Sequence, residues 1–169
     1  SVSVTTNVIS DQFGYVYAME IGDLDNDGKA DVVAAGYQAD KVVCWLKKPT
    51  GWVLQTIGTG VNGASGVSLA DIDHDGKMDV VGSADEGGQI YWWRNASGDG
   101  TSWAPYVVDG SVTKAYAVDT GDMNGDGRAD IVAASYSGNA IYYWQNIDGS
   151  GTNWERRTVA TGFIGPTDV

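Results

Sequence analysis

The chain of 169 residues carries 22 acidic against 10 basic residues, a formal charge of −12, with 43% hydrophobic residues, 24 glycines and only three prolines. This balance excludes disorder and gives one domain with a packed core, while the lack of Lys/Arg clusters excludes nucleic acid and anionic membrane surfaces as partners. No apolar run approaches the ~20 residues that cross a bilayer, and the N-terminus shows no basic-then-apolar leader.

Residues 1–10 open the chain as an orphan strand, Val2 to Ile9, that aligns with the fourth strand of the repeats that follow. The first full unit, approximately 11–58, predicts strands over Val16 to Gly22, Asp31 to Gly36, Lys41 to Lys47 and Trp52 to Ile57. The second, 59–109, predicts Gly66 to Ala70, Asp79 to Ala84, Gln89 to Asn95 and Trp103 to Val108. The third, 110–161, predicts Ala115 to Gly121, Asp130 to Ser135, Ala140 to Asn146 and Trp154 to Ala160. Residues 162–169 align with the start of a further unit. Short apolar, partly β-branched runs such as V-V-A-A, V-V-G-S and I-V-A-A favour strands over helices, so the fold class is all-β. The units repeat at 48 residues (Asp23 to Asp71) and 51 residues (Asp71 to Asp122), periods that suit propeller blades. The three-residue difference falls in an exposed turn, Lys47 to Gly51 being shorter than Asn95 to Ser102.

Between the first two strands of each unit lies a nine-residue acidic loop: D-L-D-N-D-G-K-A-D at 23–31, D-I-D-H-D-G-K-M-D at 71–79 and D-M-N-G-D-G-R-A-D at 122–130. Carboxylates crowded this closely repel one another unless a cation sits among them, and an all-oxygen set suits Ca²⁺. Asp23, Asp25 and Asp27 alternate round the ion, Gly28 permits the sharp turn, Lys29 offers its backbone carbonyl and Asp31 closes the shell. The matching sets are Asp71, Asp73, Asp75, Lys77 and Asp79, then Asp122, Asn124, Asp126, Arg128 and Asp130. An EF-hand is excluded, because its position-12 Glu is replaced by Ala34, Gly82 and Ala133. The loops hold half of the acidic residues, and three calcium ions would bring the net charge from −12 to −6.

The pattern D-x-[DN]-x-D-G-x-x-D leading into an apolar strand resembles the FG-GAP/VCBS repeat of integrin alpha-chain propellers, propeller lectins and many secreted bacterial proteins. The resemblance covers nearly the whole chain and implies four-stranded β-propeller blades with calcium in the loop joining the first two strands. The Phe-Gly-Gly-Ala-Pro signature is absent, although Gly63-Ala64-Ser65-Gly66 and Gly165-Pro166 fall near its place, which favours the VCBS side. Three blades do not close a ring, since propellers have four to eight. Either the chain is part of a longer propeller, or copies complete one another, the terminal strand pairing with a neighbour's sheet.

Trp45, Trp93 and Trp144 recur at the repeat shifts, as do Trp52, Trp103 and Trp154 approximately, and such repetition reads first as packing between blades. The functional alternative is a sugar platform. Tyr91, Trp92, Tyr142 and Tyr143 vary between repeats and are the ligand candidates. Cys44, the sole cysteine, reads as a packed thiol, and His74, the sole histidine, as a solvent-facing loop residue, so no catalytic set assembles. Calcium loops are most useful where calcium is millimolar, which predicts an extracellular, bacterially secreted protein; Asn95-Ala96-Ser97 is also a glycosylation sequon. Three functions stay open: a module binding a glycan or protein ligand, a self-assembling scaffold, and a non-catalytic propeller domain of a larger secreted enzyme or adhesin.

Overall fold

The computed structural model describes residues 8–10 and 13–169. Apart from residues 8 and 9, the strand expected over Val2 to Ile9 lies outside the described residues. Strands β1 (Val16–Gly22), β2 (Asp31–Gly36), β3 (Lys41–Lys48) and β4 (Gly51–Thr59) form one antiparallel sheet in that order. Strands β5 (Ala64–Ala70), β6 (Asp79–Ala84), β7 (Gln89–Asn95) and β8 (Trp103–Asp109) form a second. Strands β9 (Ala115–Gly121), β10 (Asp130–Ser135), β11 (Ala140–Asn146) and β12 (Trp154–Thr161) form a third. Seven coincide with the predicted ranges, and β3, β4, β5, β8 and β12 extend one or two residues further at one end or both. Residues 162–169 form no strand.

After its opening aspartate the second strand of each blade is a run of small and apolar residues and is largely buried, β6 along its entire length. The outermost strands alternate little and are largely exposed, as in β12. Each blade bends at the same two places, with a bulge where its first strand meets its second and another where its third meets its fourth.

Two cores form between blades. Val33, Ala35, Val42, Cys44 and Leu46 of the first blade pack against Val61, Val67, Val80, Ala84 and Trp93 of the second. On the opposite face of the second blade, Val81, Ile90 and Trp92 meet Val112, Ala115, Val118, Ile131, Ala133 and Trp144 of the third. The recurring tryptophans are therefore packing residues, Trp93 and Trp144 each lying against the preceding blade. Trp45 occupies the same register but faces away from the other blades, where Phe13 meets it edge-on at 5.6 Å.

The first strands are innermost: β1 contacts β5, and β5 contacts β9. Together with Thr167 and Asp168 they line an axial cavity of about 270 Å³. This is the geometry of propeller blades round an axis.

Cys44 is fully buried in the first of these cores, and burial pushes its thiol up to about 12. Because the thiolate is the reactive form, the native protein is expected to resist a disulfide reagent at pH 8 and to react once unfolded. Rapid native-state labelling would contradict this placement.

Candidate metal centres

The three acidic loops share one backbone path. Asn26, His74 and Gly125 lie in the left-handed region at φ 56, 57 and 79°, and Gly28, Gly76 and Gly127 follow there at 81, 81 and 83°. The first aspartate caps the turn: Asp27 N–H and Gly28 N–H donate to Asp23 Oδ1 and Oδ2 at 3.1 and 2.9 Å. The same bonds run from Asp75 and Gly76 to Asp71, and from Asp126 and Gly127 to Asp122. Such donors hold the Asp122 carboxyl below the usual range, the Gly127 N–H contributing most.

The ninth residue does more than close a shell. Asp31 is fully buried and receives Leu24 N–H at 2.9 Å and Lys47 N–H at 2.7 Å, one on each oxygen, which pins the loop to the end of β3. Asp79 likewise takes Ile72 N–H, Asn95 N–H and the Trp92 indole at 3.2, 2.8 and 3.1 Å; Asp130 takes Met123 N–H and Asn146 N–H at 3.2 and 2.9 Å. Burial raises all three carboxyls, Asp79 to about 6, so their negative charge is costly unless something positive lies near.

Oxygens of Asp23, Asp25 and Asp27 converge within 4.8 Å of one another, and so do those of Asp71, Asp73 and Asp79. Among the described residues the third loop gathers no such trio. Asn124 stands there in place of a carboxylate. Asp73 Oδ1 is buried with no hydrogen-bond partner among the described residues. Two converging carboxylate trios, one of them with an orphaned buried oxygen, fit a hard divalent cation.

The basic residues of these loops were not legible as partners in the sequence. Lys29, Lys77 and Arg128 fold back onto the fifth-position carboxylates Asp27, Asp75 and Asp126. From the third strands, Lys48 reaches Asp25 and Arg94 bridges Asp73 and Asp75. The Lys29 ammonium holds Asp27 low. At Asp75 burial opposes ionisation, yet Lys77 and Arg94 outweigh it. These cations soften the repulsion inside each loop.

Of the aromatic ligand candidates, Trp92 requires correction. Trp92 is 1% exposed, its ring stacked on Tyr106 at 4.6 Å and its N–H spent on Asp79, so it offers no face to a ligand. Tyr91 is half-buried and stacked on Trp93 at 5.1 Å, and its hydroxyl donates to Gln89 at 2.7 Å. Tyr142 is half-buried, with the Arg156 guanidinium 3.9 Å from its ring centre. Tyr143, also half-buried, points from the outer face of the third blade. Alternation on a strand sends these four to opposite faces; blades cover both faces of the second blade, which carries Tyr91 and Trp92, but among the described residues only the inner face of the third.

A different aromatic group, missed because its members sit at unlike repeat positions, lies at the far ends of the strands from the acidic loops. Tyr37 stacks on Tyr17 at 4.5 Å, Tyr17 meets Tyr116 edge-on at 6.0 Å, and Tyr116 meets Tyr136 at 5.9 Å. The Tyr37 hydroxyl donates to Asp85 and Glu86 at 3.1 Å each, and Lys114 reaches Asp85 at 3.3 Å. Tyr17 and Tyr116 also line the axial cavity.

The FG-GAP-like repeat family matches three times, over residues 23–82, 71–133 and 122–169. The chain belongs to that family. Each match starts at an acidic loop and the first two run through the next, so the repeat defined by family and the blade defined by sheet are offset by one strand. No curated protein matches the chain. Among solved structures, one of the Photorhabdus luminescens Tc holotoxin pore is similar at 19% identity and a TM-score of 0.48, covering 86% of this chain and 7% of that one. The chain thus spans a small fraction of that protein's length, and the likeness carries no functional argument.

Proposed function

We propose that this chain is an extracellular, calcium-stabilised propeller module that recognises a glycan and does no chemistry on it. The observation that carries the recognition reading is the run of four tyrosines, Tyr37, Tyr17, Tyr116 and Tyr136, crossing from the first blade to the third beside the axial cavity. Repeat architecture does not require it, since Asp85 stands at the repeat position of Tyr37 and Tyr136, and Ser65 at that of Tyr17 and Tyr116. Tyr17 and Tyr136 are 47% and 44% exposed. Flat aromatic faces beside a carboxylate suit a pyranose, whose C–H face stacks while its hydroxyls donate to the exposed Glu86.

Calcium would be held by Asp23, Asp25, Asp27, the Lys29 carbonyl and Asp31, and by the corresponding residues of the other loops. When bound, it supplies positive charge that cancels carboxylate repulsion and ties the first strand of a blade to the second. The protein's own part is to fix those oxygens: backbone N–H groups orient the first aspartate, and burial orients the ninth. An oxygen-only site of this kind fits the millimolar calcium outside cells, where FG-GAP repeats typically occur.

A glycan array probed in calcium should retain the protein on a defined set of sugars. Tyr17→Ala and Tyr116→Ala should each weaken retention at least ~10-fold, while Tyr143→Ala leaves it unchanged. Retention on no sugar, or equal retention by all three variants, would remove the glycan reading.

A further inference from the structure

The two blade junctions are gripped by one device. At the second blade, the Asn95 amide donates to the Leu24 carbonyl in the preceding blade's acidic loop at 2.7 Å, while its Oδ1 accepts Gly98 N–H and Gly100 N–H at 3.1 and 3.3 Å. At the third blade, Asn146 donates to the Ile72 carbonyl at 2.9 Å and accepts Gly149 N–H and Gly151 N–H at 3.1 and 3.4 Å. Both asparagines are fully buried. The final glycine of each turn presses on the preceding blade: a Cβ on Gly100 would lie 2.8 Å from Leu46, and one on Gly151 would lie 2.5 Å from Trp92 and 2.8 Å from Ile72. An Asn-x-x-Gly-x-Gly turn therefore hooks backwards onto a carbonyl and a buried apolar pair.

The receiving half of this hook exists a third time. Met123 occupies the repeat position of Leu24 and Ile72, and its N–H is held by Asp130 as theirs are by Asp31 and Asp79. Leu24 and Ile72 are 0% exposed, whereas Met123 is 50% exposed. Beside it, Tyr143 stands where Cys44 and Trp92 are buried. The approach to this face is also set: Gly165 N–H donates to Asn139 Oδ1 at 3.0 Å, as Gly63 N–H donates to Asp40 Oδ1 at 2.9 Å, and Gly63, Lys114 and Gly165 all take positive φ.

The donating half is missing from the first blade. Lys47 stands at the asparagine position, and the turn through Lys48, Pro49, Thr50 and Gly51 is three residues shorter than that of the second blade. We propose that the outer face of the third blade is the seat of a further tandem repeat bearing an Asn-x-x-Gly-x-Gly turn, and that the first blade of a second copy does not fit it. Continuity with two existing junctions identifies the occupant; Lys47 rules out head-to-tail closure of copies by the same grip.

The test extends the 169-residue chain after Val169 with a second copy of residues 119–161, Val169 taking the place of Val118, with Met123→Leu in the added copy only. A control extension replaces the added Asn146–Asn153 turn by Lys-Lys-Pro-Thr-Gly. Peroxide oxidation at each methionine is then followed by peptide mass spectrometry, since sulfoxide formation follows exposure. With the hooked extension, native Met123 should oxidise at least ~10-fold more slowly than in the unextended chain, and Met19, 64% exposed on the first blade, should be unchanged. The control should leave Met123 as fast as in the unextended chain. Equal protection by both extensions, protection by neither, or concentration-dependent protection of Met19 and Met123 together in the unextended chain would each overturn the proposal. Should the added repeat fail to fold, the hook is still tested within the native chain. Adding Asn146→Ala to an Ile72→Met protein should speed oxidation at position 72 at least ~10-fold, and an unchanged rate there also overturns it.

Discussion

Chelation of divalent cations is expected to lower the melting temperature of this protein by at least about 10 °C. A ligand present at a hundred times its dissociation constant stabilises the folded state by roughly 2.7 kcal/mol per site, and a domain of this size loses about 2–4 °C per kcal/mol. Two loops bring carboxylate trios together, so even without the third loop the combined effect exceeds the experimental error of a melt. Asp27→Ala should abolish more of the calcium-dependent increment than His74→Ala, because the first removes an oxygen and the second leaves all of them in place. The measurement is calorimetry on metal-loaded protein, with and without EDTA. An unchanged melt would refute calcium as the stabilising ion.

Trp92→Ala is expected to be the most damaging single substitution at the aromatic positions, costing roughly 3–5 kcal/mol, as large-to-small changes of fully buried aromatics do. It would empty a site between two blades, remove the stack on Tyr106 and leave Asp79, already raised by burial, without its indole donor. Tyr143→Ala, one repeat further on, should cost less than about 1 kcal/mol, because among the described residues no blade covers that face. Urea denaturation of the two variants gives the comparison directly. Similar losses would mean that the repeat register set out above is wrong.

The pair also shows where the sequence was legible. Cys44, Trp92 and Tyr143 align by counting, but only packing decides that the first two are inside and the third outside; nothing local to Tyr143 records which blade stands against it. Strands and acidic loops were readable because their causes are local: alternating or continuous apolar runs, and oxygen ligands at fixed spacing. The ion pairs of Lys48 and Arg94 with the loops were not readable, because they depend on how far β3 and β7 carry those side chains past the turn. The tyrosine run was invisible for a related reason. Its members stand at two unlike repeat positions, and the repeat comparison that exposes Trp93 and Trp144 dilutes them. Asn95 opens a glycosylation sequon in the sequence, whereas its side chain is buried and wholly engaged in the blade junction.

The asparagine hooks also make the acidic loops thermodynamically unequal. Leu24 and Ile72 are each clamped by the blade that follows, so an ion in the first or second loop settles into a turn whose backbone is already immobilised, and the cost of ordering that turn falls on folding instead of on binding. By reciprocity, occupancy of those loops strengthens the junctions that clamp them. Among the described residues the third loop has no clamp on Met123, and its sequence lacks the full set of carboxylates. Affinity should therefore descend along the polypeptide, and a calcium titration should fill the array from its first two loops, with the last one trailing at higher concentration.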